Sequence, residues 1–139
     1  MKSVKVGDYM SRRLVTFNRS DNVISAMGVL LDKKISGAPV VDSDGNLVGI
    51  LSEVDLMPIV MQDSYYDESF GIVADYMHSP VDTIDPDMDI YQLAERFHKE
   101  HRRRYPVVKN GKLVGQISRR DVLRAAEDFL TRSPNRSSR

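Results

Sequence analysis

Gly49-Ile50-Leu51-Ser52-Glu53-Val54-Asp55 is the stretch that decides the fold of this chain. Its apolar start is typical of a β-strand. Ser52 followed by acidic residues is typical of the first turn of a helix. The stretch therefore predicts a strand that passes directly into a helix, where Ser52 and Asp55 can both hydrogen-bond one small polar ligand. We interpret Gly49 as a position where another group approaches the backbone closely.

The pattern occurs a second time, 66 residues further on, as Gly115-Gln116-Ile117-Ser118-Arg119-Arg120-Asp121. Glycine, serine and aspartate recur in register, which indicates an internal repeat. A second pair of matching stretches, Val6-Gly7-Asp8-Tyr9-Met10 and Val73-Ala74-Asp75-Tyr76-Met77, predicts a short helical turn at the start of each half.

Both halves predict the same order of elements. A strand over 14–17 or 81–84 precedes a helix whose apolar residues recur at helical spacing from Val23 or Ile90. Ser20 or Asp21 is the expected cap of the first helix. Two strands joined by a turn and a second helix complete each half. The sequence therefore predicts an α+β fold of two β-α-β-β-α repeats.

The predicted boundaries are 4–60 for the first repeat, 61–72 for a linker, 73–131 for the second repeat and 132–139 for a disordered tail. A single repeat of this size holds only a marginal core. We therefore expect the two repeats to pack face to face about a pseudo-two-fold axis. Pro58, early in the last helix of the first repeat, is compatible with a helix start.

Composition excludes several classes of function. The 139 residues carry 20 basic and 20 acidic side chains, and zero net charge argues against a dedicated nucleic-acid binder. The absence of cysteine excludes disulfides, thiolate metal sites and cysteine nucleophiles, and favours an intracellular, cytoplasmic protein. No stretch approaches the roughly 20 apolar residues of a membrane span, so we expect no membrane association.

The two Gly-x-x-Ser-x-x-Asp turns, together with the strands Pro39-Val40-Val41 and Pro106-Val107-Val108, resemble a tandem pair of CBS domains, the Bateman module. The resemblance covers about residues 4–130. It implies a stand-alone regulatory module that binds AMP, ADP, ATP or S-adenosylmethionine in clefts between paired repeats. It also implies a homodimer and a regulated partner protein, whose identity the sequence does not indicate.

The resemblance implies a set of nucleotide-binding residues as well. Asp55 and Asp121 would bond the ribose hydroxyls, with Ser52 and Ser118 near the ribose and phosphate. The first-strand threonines would lie near the nucleoside, apolar residues of the next strand would line an adenine slot, and basic residues before that strand would reach phosphate: Thr16, Thr83, Ala38, Pro39, Val40, Tyr105, Pro106, Val107, Arg103 and Arg104. The first repeat departs from the pattern, since Ser36-Gly37 replaces the two arginines.

Arginines are concentrated in the second repeat, at 102–104 and at 119–120. If the strand before Tyr105 lies beside the turn at Ser118, these arginines, with Arg120 among them, converge on one cleft. The planar guanidinium group binds phosphate bidentately, which favours an anionic ligand there. A solvated run of charge is the alternative.

Other interpretations remain open from the residues alone. Ser52 and Ser118 could serve only as helix caps. His98 and His101 lie three residues apart, but two ligands without a third do not indicate a metal site, and His98 is predicted to be partly buried. No catalytic constellation is recognisable, so we expect no enzyme activity. The alternative function is a constitutive dimerisation or interaction module without bound nucleotide.

Overall fold

The computed structural model describes residues 4–62 and 69–131, so the predicted tail 132–139 and most of the predicted linker lie outside the described residues. Short 3-10 turns form at Val6–Asp8, Val54–Leu56 and Val73–Asp75, and the first and last of these were expected from the paired stretches. The strands and helices are, in chain order, β1 (Phe17–Asn18), α1 (Val23–Lys33), β2 (Gly37–Val41), β3 (Leu47–Ser52), α2 (Met57–Met61), α3 (Ile90–Glu100), β4 (Arg104–Lys109), β5 (Lys112–Ser118) and α4 (Arg119–Thr131). The predicted α+β class and the two repeats are confirmed.

The strands form one sheet in each repeat. β1 pairs parallel to β2, and β2 pairs antiparallel to β3. In the second repeat β4 and β5 pair antiparallel. The predicted strand over 81–84 reduces to a single parallel bridge between Ile84 and Val107. Pro86 follows two residues later and has no backbone N–H to continue such a ladder.

Helix ends are set by local hydrogen bonds. Asn22, rather than the predicted Ser20 or Asp21, caps α1, because its side-chain oxygen accepts from the backbone N–H groups of Ile24 at 2.9 Å and Ser25 at 3.0 Å. α2 begins with Pro58 in its first turn and lasts five residues, whereas its counterpart α4 lasts thirteen. The expectation that Pro58 lies early in this helix, where proline is tolerated, is confirmed.

The described chain divides into two compact units that do not follow the sequence repeats. The central unit is Leu14–Val81, and the terminal unit combines the residues up to Arg13 with those from Asp82 onward. In the terminal unit, the N–H of Val6 donates to the carbonyl of Met88 at 2.9 Å. In the central unit, the N–H of Val73 donates to the carbonyl of Asp21 at 2.9 Å. The opening turn of each repeat therefore packs in the unit that holds the rest of the other repeat, and we call these turns exchanged. The boundaries 4–60 and 73–131 stay a prediction about the sequence repeats.

Each unit has its own core. The terminal core includes Val6, Ile84, Ile90, Leu93, Phe97, Tyr105, Val107, Ile117 and Ala125. The central core includes Phe17, Val23, Ala26, Leu30, Ala38, Val40, Leu51, Ile59 and Val73. Both sets contain most of the apolar helix stripes that the sequence predicts, but Leu31, the last member of the predicted α1 stripe, is 66% exposed and lies outside the core. Among the described residues, no helix is long and apolar enough to cross a bilayer.

Candidate functional site

The second Gly-x-x-Ser-x-x-Asp motif forms the corner between β5 and α4. Asp121 is 8% exposed, and its Oδ2 accepts a hydrogen bond from the backbone N–H of Ser118 at 2.8 Å. In return, the Ser118 hydroxyl accepts from the backbone N–H of Asp121 at 3.1 Å. The other oxygen, Oδ1, pairs with the guanidinium of Arg124 on the next turn of the helix. The reciprocal bonds satisfy free N–H groups at the helix start, as in a capping box.

The first motif forms the same corner in the central unit, with a histidine as the partner of its aspartate. Asp55 Oδ2 accepts from the backbone N–H of Ser52 at 2.8 Å and from its hydroxyl at 2.9 Å. The same oxygen lies 2.8 Å from Nδ1 of His78. The side chain of Asp55 is 15% exposed and that of His78 is 54% exposed. Both motif aspartates are therefore largely buried, and each faces a side chain that can carry positive charge.

The side chains that pair with the two aspartates, Arg124 and His78, come from non-equivalent positions of the repeat. Pro58 stands where the second repeat has Arg124, and Ser11 stands where the central unit has His78. Sequence reasoning identified neither Arg124 nor His78 as part of the site. Arg124 follows Asp121 by three residues on a helix, a spacing at which side chains meet, so this pair was open to prediction. No comparable local signal exists for His78, which lies 23 residues from Asp55.

The motif glycines are approached by the chain itself. A Cβ atom at Gly115 would lie 2.5 Å from the sulfur of Met10 and 2.9 Å from the carbonyl oxygen of Ser11. A Cβ at Gly49 would lie 2.9 Å from the sulfur of Met77. The expected close approach to Gly49 is thus made by a neighbouring segment of its own unit. These glycines let the exchanged segments bridge to β3 and β5.

The backbone segments that carry the arginines of the second repeat lie next to each other, but the arginine side chains have different surroundings. Arg104 pairs with Ser118 across β4 and β5, and the N–H of Arg119 donates to the carbonyl of Arg103 at 3.1 Å, so the strand and the turn do lie side by side. Arg102 pairs with Asp82 at 2.6 Å. Arg119 and Arg120 line two different grooves, so the structure does not gather all five side chains at one point.

Two grooves of the terminal unit share Arg124, the partner of Asp121, and one of them is lined by Asp121 itself. The first, called the Asp121 groove, has a volume of about 450 Å³ and is lined by Asp8, Tyr9, Asp121, Arg124, Glu127, Asp128 and Thr131. The second, about 200 Å³, is lined by Arg120, Leu123, Arg124 and Glu127. Arg124 and Glu127 line both grooves. The first groove carries four carboxylates, on Asp8, Asp121, Glu127 and Asp128, against the single arginine Arg124, so cationic side chains predominate only in the second groove.

The predicted adenine-lining side chains lie inside the cores. Ala38 and Val40 are 2% and 0% exposed, and Tyr105 and Val107 are both 0% exposed. Pro39 and Pro106 are buried as well. Thr16 and Thr83, in contrast, are exposed just before β1 and the Ile84 bridge. A ligand at these strands would therefore contact their backbone edges and the threonines more readily than the apolar side chains.

Tyr105 is held by a polar cluster rather than by apolar contacts alone. Its hydroxyl donates to the carboxylate of Glu100 at 2.6 Å. Its ring packs on Phe97, with 4.8 Å between centroids, and the guanidinium of Arg96 lies 4.9 Å from its centroid. Burial, reinforced by the bond to Glu100, raises the pKa of Tyr105 to about 12, and the bond to Tyr105 lowers the pKa of Glu100. The arrangement explains why a tyrosine can occupy this core position.

Substituting Tyr105→Phe is expected to reduce the fall in the free energy of unfolding at alkaline pH. The phenol ionises near pH 10 in the unfolded chain and near 12 in the folded one. Stability from the protonated phenol is therefore complete below pH 10 and is lost as the pH rises to about 12. Urea unfolding of the wild type and the variant, compared below pH 10 and at about pH 11.5, measures this. Tyr91→Phe, at a residue that is 61% exposed, is the control. Parallel pH profiles for wild type and Tyr105→Phe would contradict the prediction.

The histidines do not assemble a metal site in the part of the chain that the structure describes. No group of three or more potential metal ligands is found there. His98 is exposed, so the prediction that it is partly buried is wrong. It lines a groove of about 320 Å³ between α3 and α4, together with His101, Arg119 and the apolar residues Phe97, Val122 and Leu123. His98 in the second repeat corresponds to Leu31 in the first, and both side chains are exposed. The position can therefore hold a polar residue.

The fold and the doubled corner define a class of protein: tandem α+β repeats in which a buried aspartate follows a strand-to-helix turn. The chain belongs to the CBS domain family, whose sequence model matches residues 6–61 and 73–128. The predicted family membership is thereby confirmed.

Solved relatives support the same fold over nearly the whole chain. CBSX2 from Arabidopsis thaliana, solved in complex with AMP, is 30% identical and has a TM-score of 0.78, and the alignment covers 92% of this chain and 99% of that one. A putative acetoin utilization protein, AcuB, from Vibrio cholerae is 28% identical with a TM-score of 0.78, over 93% and 94% of the two chains.

Some relatives are longer proteins with activities of their own. The A-adding tRNA nucleotidyltransferase of Aquifex aeolicus is 30% identical over 91% of this chain, which corresponds to 15% of the enzyme. Across three curated relatives, this enzyme and two uncharacterized proteins, this chain spans 15%, 33% and 66% of their lengths. The similarity therefore concerns the CBS pair and not the catalytic parts of such enzymes.

Proposed function

We propose that this chain is a non-enzymatic regulatory module that binds an adenine nucleotide of the AMP, ADP or ATP class. The observation that carries the proposal is the likeness to CBSX2, which was solved with AMP and aligns over 99% of its own chain. Asp55 and Asp121 occupy matching corners in the two units, where an ionised carboxylate can accept hydrogen bonds from vicinal ribose hydroxyls. Charge-assisted bonds of this kind are about twice as strong as neutral ones.

The terminal unit is the better candidate for a phosphorylated ligand. Arg120 and Arg124 line the smaller groove, Arg124 also pairs with Asp121, and Arg103 and Arg104 precede the buried part of β4. The central unit has Ser36-Gly37 in place of those arginines and Pro58 in place of Arg124. The remaining proposed contacts are Thr16, Thr83, Ser52, Ser118 and the backbone of residues 38–40 and 105–107. S-adenosylmethionine, whose adenosine moiety offers the same diol, stays a second candidate ligand.

The module is further proposed to act as a cytoplasmic homodimer that passes its ligand state to a regulated protein. A specific observation favours the alternative, a constitutive interaction module. The central unit exposes large apolar side chains on α1 and α2: Leu31 is 66% exposed, Val60 74% and Met61 83%. Such residues fit a surface covered by another protein whether or not nucleotide is bound.

A thermal-shift panel with AMP, ADP, ATP, S-adenosylmethionine and adenosine tests the proposal. A ligand at 100 times its dissociation constant adds about 2.7 kcal/mol of stability. For a chain of this size that corresponds to a rise in Tm of roughly 5–15 °C. Titration calorimetry on Asp121→Asn is then expected to show about tenfold weaker binding of AMP, because the amide keeps an acceptor for Ser118 but loses the negative charge.

Asp32→Asn is the matched control, since it removes the same charge from an exposed position on α1. It should leave the affinity for AMP unchanged. If no nucleotide shifts the Tm, the proposed function fails and the interaction module takes its place. If AMP binds and Asp121→Asn binds it equally well, the nucleotide function stands but the site assignment is wrong.

A further inference from the structure

Asp121 is already occupied on both carboxylate oxygens. Oδ2 accepts from the backbone N–H of Ser118, and Oδ1 pairs with Arg124. The first bond holds the start of α4 and belongs to the fold. Only 10% of the Asp121 side chain is exposed, so a ligand has little free carboxylate surface to reach. A vicinal diol, which needs space for two hydroxyls, can engage Asp121 only when the guanidinium moves aside.

Arg124 has room to move. Its side chain is 65% exposed, and it lines both the Asp121 groove and the smaller groove with Arg120. The carboxylate of Asp121 is only 10% exposed and needs a partner, but the two hydroxyls of a diol can take over that role from the guanidinium. A bound ligand can therefore displace it, and the displaced guanidinium stays within a side chain's reach of whatever occupies the groove.

We propose that Arg124 is the residue that makes the terminal unit selective for phosphorylated ligands. Without ligand, it blocks Asp121. A nucleoside that takes Asp121 leaves the guanidinium without its carboxylate, whereas a nucleotide offers phosphate oxygens as a new bidentate partner. Glu127, one turn further along α4, also lines both grooves and competes for the released guanidinium, and Arg120 adds a second cation on the phosphate side. This inference rests on the proposed nucleotide function and adds its ligand selectivity.

The first repeat supports the assignment by contrast. Its counterpart of Arg124 is Pro58, which has no charge to offer a phosphate. Asp55 is instead held by His78, which comes from the opening segment of the second repeat. The two motif aspartates are therefore equivalent in sequence but are occupied by different groups. Selectivity that depends on Arg124 is accordingly a property of the terminal unit alone.

The test compares AMP with adenosine on the full chain by titration calorimetry. In the wild type, AMP is expected to bind at least tenfold more tightly than adenosine. Arg124→Gln removes both the block and the phosphate partner. It should tighten adenosine binding about two- to fivefold, because adenosine no longer has to displace a guanidinium that is itself largely exposed. It should weaken AMP binding about tenfold, the loss of one charge-assisted phosphate contact. The ratio of AMP affinity to adenosine affinity should therefore fall about 20- to 50-fold, the product of the two changes.

Lys33→Gln, an exposed position at the end of α1, removes the same charge and should leave both affinities as in the wild type. If the wild type binds neither ligand, the nucleotide function itself fails. If it binds AMP and Arg124→Gln keeps the wild-type ratio of the two affinities, Arg124 is only a structural partner of Asp121 and the inference is overturned. Weakening of both ligands by the same factor overturns it as well.

Discussion

Substituting Gly115→Ala is expected to destabilise the terminal unit by about 1–3 kcal/mol, the usual cost of forcing extra atoms into a packed site. The new Cβ would lie 2.5 Å from the sulfur of Met10, a flexible side chain that can shift. It would also lie 2.9 Å from the carbonyl oxygen of Ser11, which is backbone. That carbonyl accepts from the N–H of Gln116 at 2.9 Å, so it cannot retreat without loss of a hydrogen bond. Urea unfolding, followed by circular dichroism, measures the change.

Gly28→Ala is the matched control for this prediction. Gly28 lies within α1, and a Cβ there would meet nothing within 4 Å. The same chemical change should therefore stabilise the chain by about 0.5–1 kcal/mol, because alanine loses less backbone entropy than glycine in a helix. Equal effects at the two positions would show that Met10 and Ser11 do not press against β5 in solution.

Substituting Val6→Ala is expected to cost roughly 2–3 kcal/mol, and to open the second repeat rather than the first. Val6 is 0% exposed and packs in the core that contains Ile84, Leu93 and Ile117. Loss of two buried methyl groups removes about 1.6 kcal/mol of transfer free energy, and the cavity adds to this. Hydrogen exchange read by mass spectrometry locates the effect, since amides of α3 and α4 should lose protection first.

Val73→Ala provides the reciprocal comparison. Val73 is also 0% exposed, but it packs in the core with Phe17, Leu30 and Leu51. Its substitution should cost a similar amount and should first deprotect α1 and the β2–β3 pair. If Val6→Ala instead deprotects α1, the opening turn belongs to its own repeat and the exchange seen in the structure is wrong.

The backbone of the candidate site could be predicted from the residues. A hydroxyl and a carboxylate at fixed spacing after an apolar strand satisfy the free N–H groups of a helix start, so both corners form as expected. Their occupants could not all be predicted in the same way. Arg124 meets Asp121 through local helix geometry, whereas His78 reaches Asp55 because the bridge between Ile50 and His78 carries a distant segment to β3.

Burial decided a further part of the candidate site. The residues proposed to line an adenine slot are apolar, and apolar side chains suit either a ligand or a core. Tyr105 is 0% exposed, with its hydroxyl bonded to Glu100 and its ring packed on Phe97. Both the hydroxyl and the ring of Tyr105 therefore have partners within the protein. The residues along one strand do not indicate which distant side chains will become those partners.

By itself the sequence determined the repeat, the α+β class, the order of the helices and strands apart from the strand expected over 81–84, and the two serine–aspartate corners. These features follow from local periodicity and capping, which neighbouring residues in the chain control. Only the tertiary structure decided that each opening turn joins the other repeat's core. It also decided that the segments carrying Met77 and Met10 contact Gly49 and Gly115, and that His78 and Arg124 pair with the two aspartates. These contacts join residues that are far apart in sequence, so they depend on which surfaces bury each other and not on any pattern within one stretch.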